Sequence, residues 1–380
     1  MFLNRRTGCP QGDSQPRGGE KRERKKLSHI IGFRLVKDLG SFLEKDDEKR
    51  GVRDGFHAFF DSGTFFSSVP CEQSAFSLYL CRQNLNECLI FGAFRRRMGK
   101  KSLNIVFLIA GSEPLGSAGM QADIKAITAC GGYAACALTG IVDEDTRRVK
   151  SVTPMPVELI VSQAESFLGD IDTQCIKTGV LPNAEIIHGV AGVLRRYPMP
   201  KKVIDPVIVN SVGEQLVSND SIEAYKDELF PLATLITPNI REAEVLLGRK
   251  LTDIREDIKE LGQWGNSVIV KSIEKTVRDE DGKEVRMLSD FFYDAETGEV
   301  HEYRKRRIET NNVNGTGDSF SSAIATYLAK GCSLKEAVEK GEEFIGKAIA
   351  LGAEYTFGHD FGPVHPCFME DKVTYERIYD

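Results

Sequence analysis

At 380 residues the chain has room for two average domains, or for one large α/β domain with an extension. Its 41% hydrophobic residues can fill a sizeable core, and a formal net charge of −6 argues against a nucleic-acid binder. Nine cysteines with no CxxC pair and no zinc-ligand spacing read as reduced thiols of a cytoplasmic protein, with Cys130 and Cys136 as small core residues.

No stretch has the roughly 18–20 uninterrupted apolar residues of a membrane span. "FSLYLCRQNLNECLIFGAF" comes nearest, and Arg82, Gln83, Asn84, Asn86 and Glu87 break it. The opening "MFLNRRTGCPQGDSQPRGGEKRERKK" has charge without the long apolar run of a secretory signal. Its basic run, Lys21 to Lys26, reads as solvated chain. Patches such as "FHAFFDSGTFFSS" follow without a steady helix or strand period. Residues 1–97 are therefore expected to be a basic, poorly ordered extension. Met98 precedes everything organised, so residues 98–380 are expected to hold the working domain, with the first 97 either dispensable or a misassigned start.

From Asn104 onward, strand-like and helix-like stretches alternate. "LNIVFLIAG" is a short apolar run ending in glycine, as in a buried parallel strand. Gly111, Gly116 and Gly119 then form a turn that is not G-x-G-x-x-G, so no dinucleotide fingerprint is present. Met120, Ile124 and Ile127 have helical spacing. Gln121 and Asp123 stand on the same helix. By default both face water, but the Gln121 amide also suits the edge of a nitrogen heterocycle.

"QCIKTGVL", "KKVIDPVIV", "ATLITPN" and "NSVIVKS" read as further strands, and "REAEVLLG", "DIKELGQWG" and "EAVEKGEEFIGKAIALG" as helices. "DFFYDAETGEVHEYRKRRIET" reads as two strands around a Glu-Thr-Gly turn. The predicted fold class is α/β: a mostly parallel central sheet with helices on both faces and a small antiparallel edge. Ligands of such sheets sit at the carboxyl ends of the strands.

Several polar residues fall at those ends. Asn239 and Glu242 are either a capping box or a pair that holds water around a magnesium ion. Asp205 adds negative charge in the same region. Lys271 is able to offset phosphates, although a lone strand-end lysine is more often on the surface. The richest segment is "NNVNGTGDSFSSAIATYLAKG". Phe320, Ala323, Ile324, Tyr327 and Leu328 mark one helix face, with Gly331 as its stop. Gly315 and Gly317 let backbone N–H groups approach an anion at the positive end of the helix dipole. Asp318 is either a helix cap or a general base for the hydroxyl that attacks a phosphoryl group.

Taken in order, "IAGSEPLGSAGMQADIKAI", "CIKTGVL", "VIDPVIV", "LITPNIREAEVLLG", "NNVNGTGDSFSSAIA" and "GHDFGPVH" resemble the hydroxymethylpyrimidine and phosphomethylpyrimidine kinases of thiamine synthesis, in the ribokinase-like superfamily. The resemblance runs from about Asn104 to about Pro366. It implies pyrimidine contacts at Gly111 and Gln121, and an anion hole of Gly315, Thr316 and Gly317. It places Asp318 facing the acceptor hydroxyl, Asn239 and Glu242 by magnesium and the phosphates, and Lys271 on the phosphates. It implies ATP and Mg2+ as cofactors, a homodimer, and phosphorylation of 4-amino-5-hydroxymethyl-2-methylpyrimidine and then of its monophosphate.

The departures from the family pattern surround the substrate. Asp318 stands where the family usually has cysteine, which suits a hydroxyl acceptor better than an anionic phosphate. Glu113 and Ser117 replace the usual aspartate and glycine of the opening loop. "CALTGIVDEDTRRV" lacks Ala-Gln-Asn, and no glycine pair follows Lys271. Pyridoxal or pyridoxine is the alternative substrate. A non-catalytic, ligand-binding regulator on a kinase fold is the alternative of another class.

Overall fold

The computed structural model describes residues 102–198, 200–209, 217–278 and 282–367. The expected extension of residues 1–97 lies outside the described residues, as does Met98. In chain order the elements are β1 (Ile105–Ser112), α1 (Gly119–Ala129), β2 (Tyr133–Asp145), β3 (Arg148–Pro154), α2 (Val157–Leu168), β4 (Cys175–Thr178), α3 (Ala184–Arg196) and β5 (Lys201–Ile204). Then come α4 (Asn219–Ala224), β6 (Leu235–Ile236), α5 (Ile240–Leu247), α6 (Ile254–Leu261), β7 (Ser267–Arg278), β8 (Glu284–Tyr293), β9 (Val300–Arg306), α7 (Thr316–Ala329) and α8 (Leu334–Gly352).

The nine strands form one sheet in the order β3-β2-β1-β4-β5-β6-β7-β8-β9 among the described residues. Neighbours from β2 through β7 are parallel. The pairs β2–β3, β7–β8 and β8–β9 are antiparallel. The sheet thus has the expected antiparallel edge at β8–β9 and a second one, not expected, at β2–β3. This is the mostly parallel α/β architecture read from the alternation.

The alternation of a strand decides which core each residue joins. Val106 and Leu108 of β1 pack with Val203, Leu235, Ile269, Phe320 and Ile324 on the face covered by α1, α7 and α8. Phe107 and Ile109 of the same strand pack with Ile176, Ile204, Ile236 and residues of α2, α3, α5 and α6 on the other face. Helix α7 is more than an amphipathic stripe: Ser319, Ser321, Ser322 and Thr326 are buried along with its apolar residues. It is wedged between the sheet, α1 and α8, so small hydroxyl residues are needed where a larger side chain would not fit.

Three local expectations change. Ile124 is exposed, and Asp123 takes the inward position beside Met120 and Ile127. A strand-end lysine beneath the helix explains the exchange, as described below. Cys130 is buried as expected, but Cys136 is exposed. It lies on the open side of β2, whose inward neighbour is Ala137. Lys271 is buried rather than on the surface.

Candidate active site

The carboxyl ends of β1, β4, β5 and β6, with Lys271 inside β7, converge on the amino end of α7. The N-cap of that helix is Gly315, with φ +73, and no side chain caps it. An ideal Cβ at Gly315 would fall 1.8 Å from the Ser117 carbonyl oxygen, so only glycine lets this turn meet the opening loop. Asn314 Nδ2 donates to Ser117 Oγ at 2.8 Å across the same contact. The N–H groups of Gly317 and Asp318 lie in the first helical turn and have no acceptor within the helix.

Asp318 is not the helix cap. Its Oδ2 accepts the Gly119 N–H at 3.2 Å and its Oδ1 accepts Lys177 Nζ at 3.3 Å. Lys177 is wholly buried at the end of β4, and its other partner is Asp123 Oδ1 at 2.7 Å. Ser322 Oγ donates to the same Asp123 oxygen at 2.7 Å. Burial pushes the Asp123 carboxyl up to about 7, against the pull of Lys177. The group reads as Asp123–Lys177–Asp318: one cation under two carboxylates, with Asp318 the member nearest solvent at 17% side-chain exposure. Asp123 and Lys177 were missed as site residues. The available signal was a charge inside the apolar run "CIKTGV".

A second lysine stands on the other side of the turn. Lys271 Nζ is 3.3 Å from Asp205 Oδ1 and 3.2 Å from an ideal Cβ at Gly317. Asp205 also accepts Thr237 Oγ1 at 2.9 Å and Ser321 Oγ at 3.1 Å. Burial opposes its charge, but Lys271 and Lys177 hold its carboxyl below the usual range.

Asn239 and Glu242 form a true capping box: Asn239 Oδ1 accepts the Glu242 N–H at 3.0 Å, and Glu242 Oε2 accepts the Asn239 N–H at 2.9 Å. Glu242 Oε1 takes the Ile208 N–H at 3.1 Å. Both oxygens of this buried carboxylate are therefore committed to backbone. Among the described residues, no group of three or more His, Cys, Asp or Glu is placed to hold a metal ion. Glu242 and Asp205 thus form no ready-made magnesium cage, although both lie beside Lys271.

The opening loop is organised by Glu113, whose carboxylate accepts the N–H groups of Leu115, Ser117 and Ala118. Gln121 ties the same loop down: Nε2 donates to Ser112 Oγ at 2.7 Å, and Oε1 accepts the Glu113 N–H at 3.3 Å. Gly111 leaves no room for a side chain, since an ideal Cβ would lie 2.5 Å from Val180 Cγ1. Glu144, at the end of β2, reaches the loop's edge with its Oε1 buried and unpartnered. Burial, and then the negative charge of Glu113 and Asp318, push it up to about 7. Asp318 with Lys177 and Gly119, and Gly317 with Lys271 and Asp205, thus meet on two sides of the 315–318 turn, while the side chains of Asn239 and Glu242 are committed to the start of α5.

A family model described as phosphomethylpyrimidine kinase matches residues 113–365. The chain belongs to the phosphomethylpyrimidine kinase family. The bifunctional thiamine-biosynthesis protein ThiED of Geobacter sulfurreducens is 36% identical over 272 residues, covering 70% of this chain and 53% of that protein. The chain spans about half the length of the first curated relatives it matches. The hydroxymethylpyrimidine/phosphomethylpyrimidine kinase of Rhizobium meliloti is 34% identical over 261 residues, covering 69% of this chain and 96% of that enzyme. Among solved structures, the pyridoxal kinase of Staphylococcus aureus in complex with pyridoxal is 31% identical with a TM-score of 0.62, covering 73% of this chain and 98% of that one. The phosphomethylpyrimidine kinase of Clostridium difficile aligns with a TM-score of 0.55 at 30% identity, over 64% of this chain and 99% of that one. The fold is thus the ribokinase-like one that the ordered motifs implied. No helix among the described residues is long and apolar enough to cross a membrane.

Proposed function

We propose that this chain transfers a phosphoryl group from ATP to the hydroxymethyl group of a heteroaromatic ring, with 4-amino-5-hydroxymethyl-2-methylpyrimidine as the leading substrate. The observation that carries this reading is Asp318: it sits in the first turn of α7, with one oxygen on Lys177 and the other on the Gly119 N–H. A carboxylate held this way keeps lone pairs for the attacking hydroxyl and takes its proton as the phosphoryl group moves. The N–H groups of the Gly315–Gly317 turn would meet the equatorial oxygens of that group, where charge is spread in the transition state. Lys271 would take the nucleotide phosphates. Gly111 and Gln121 border the ring, Gln121 through the loop it ties down.

Magnesium would enter with the nucleotide, and Asp205 and Glu242 would act on it only through water. The working unit is proposed to be residues 98–380 in a homodimer.

Pyridoxal stays as the second reading because an aspartate at 318 suits a neutral hydroxyl acceptor, and pyridoxal kinases are among the structural neighbours. The same charge argument disfavours phosphorylation of a monophosphate. The test is ADP release with ATP and Mg2+ on the pyrimidine, its monophosphate and pyridoxal side by side. Turnover with the pyrimidine or pyridoxal, and little with the monophosphate, is expected. Tight binding of a ring with no ADP from any of them would make the chain a ligand-binding regulator instead.

A further inference from the structure

Lys271 is followed by a residue in an unusual conformation. Ser272 has φ +68, the one non-glycine residue with positive φ among the described residues. Side-chain-bearing residues populate this region rarely, and they stay there only when their surroundings hold them. Here the hold is visible. Asp290 of β8 accepts the Ser272 N–H on Oδ1 at 2.6 Å. Its Oδ2 accepts Lys305 Nζ of β9 at 2.6 Å, and Lys305 reaches Glu342 Oε2 of α8 at 2.7 Å. Asp290, Lys305 and Glu342 are all buried.

The result is a local change of partner. The β7–β8 register breaks between Val270 and Ile273. Within that break Lys271 leaves β8 and donates its N–H to the Pro238 carbonyl at 3.1 Å, bridging to Asn239. Its side chain then points to Asp205 and Gly317.

We propose that Asp290, clamped by Lys305 and Glu342, is a positioning residue that holds the Ser272 peptide in its left-handed form and so aims Lys271 into the phosphate side of the site. The proposal rests on the reading that Lys271 meets the nucleotide phosphates.

The test uses the full chain in the ADP assay, with KM for ATP and kcat read separately and thermal stability as a control. Lys271→Met checks the underlying reading, and KM for ATP should rise at least about tenfold. The Ser272 side chain is exposed, so Ser272→Val tests only the backbone. A β-branched residue resists this conformation, and a similar rise of about tenfold in KM is expected with the fold intact. Asp290→Ala should raise KM as well. Adding Ser272→Gly to it should bring KM back to within about threefold of the starting protein, because glycine takes positive φ unaided. The stability lost around Lys305 should not return.

A merely structural Asp290 predicts no such rescue. If Lys271→Met raises KM and Ser272→Val leaves it within about twofold, the positioning role is overturned and the phosphate reading stands. A silent Lys271→Met overturns both. If Asp290→Ala does not fold, the two single substitutions at 272 and 271 still decide.

Discussion

Lys177 near the end of β4 and Lys271 at the register break within β7 both stand buried beside the same helix turn, yet they are spent differently. Lys177 has a side-chain exposure of 0% and is matched by two carboxylates, Asp123 at 2.7 Å and Asp318 at 3.3 Å. Lys271 keeps 11% and meets one carboxylate at 3.3 Å, which Thr237 and Ser321 also hydrogen-bond. An ammonium has three donors. Lys177, buried and spending two on its own carboxylates, fixes geometry, while Lys271, spending one and partly exposed, has more left for an incoming anion. The proposed division gives the first lysine to the base and the second to the phosphates.

This division makes predictions of falling size. Lys177→Met leaves Asp123 buried without its cation, and breaking such a pair costs about 3–5 kcal/mol. Denaturant unfolding should show that loss, and Asp123→Asn added to Lys177→Met should recover part of it. An unchanged midpoint would break the comparison. Lys271→Met should cost less stability, because Asp205 keeps its two hydroxyl donors, and should act mainly on KM for ATP.

Gly315→Ala tests the turn between the two lysines. Its Cβ would meet the Ser117 carbonyl at 1.8 Å, so a loss of roughly 1–3 kcal/mol and a fall in turnover are expected. Gly298→Ala has positive φ but nothing within 4 Å of the added methyl, and should lose only the conformational part, about 1 kcal/mol.

The smallest effect concerns a carboxyl whose charged neighbours are other carboxylates. Glu144 is pushed up to about 7 by burial and by Glu113. A raised folded value favours the protonated form in the fold. Its stabilising contribution is fully present below about 4.5 and is lost as pH rises through about 7. Glu144→Gln should flatten the decline in stability across that window. A slope identical to that of the parent protein would show that Glu144 is not the group titrating there.

Much of this was readable in the sequence, for a physical reason. Gly315, Gly317 and Asp318 lie within four residues, and strand-end turns leave local signatures of glycine, apolar period and polar stop. Asn239 and Glu242 were readable as a capping box for the same reason, and that is what they form. The buried charges were not. Lys177 finds Asp123 at 54 residues' separation and Asp318 at 141, and no local pattern reports such a pairing. Helical spacing alone assigned the inward position to Ile124, whereas the lysine beneath required a carboxylate at Asp123. The β2–β3 edge escaped because its strands are half exposed and weakly alternating. Ser272 escaped because a serine carries no signal of positive φ; only its departure from the glycine pair pointed there.

The most direct test of the account is the turnover of Asp318→Asn with ATP and the preferred ring, beside a check that it folds. The asparagine keeps the shape but cannot take the hydroxyl proton. Normal stability with kcat down by about 10² or more is the predicted result. A correctly folded Asp318→Asn that turns over at near the parent rate would contradict it.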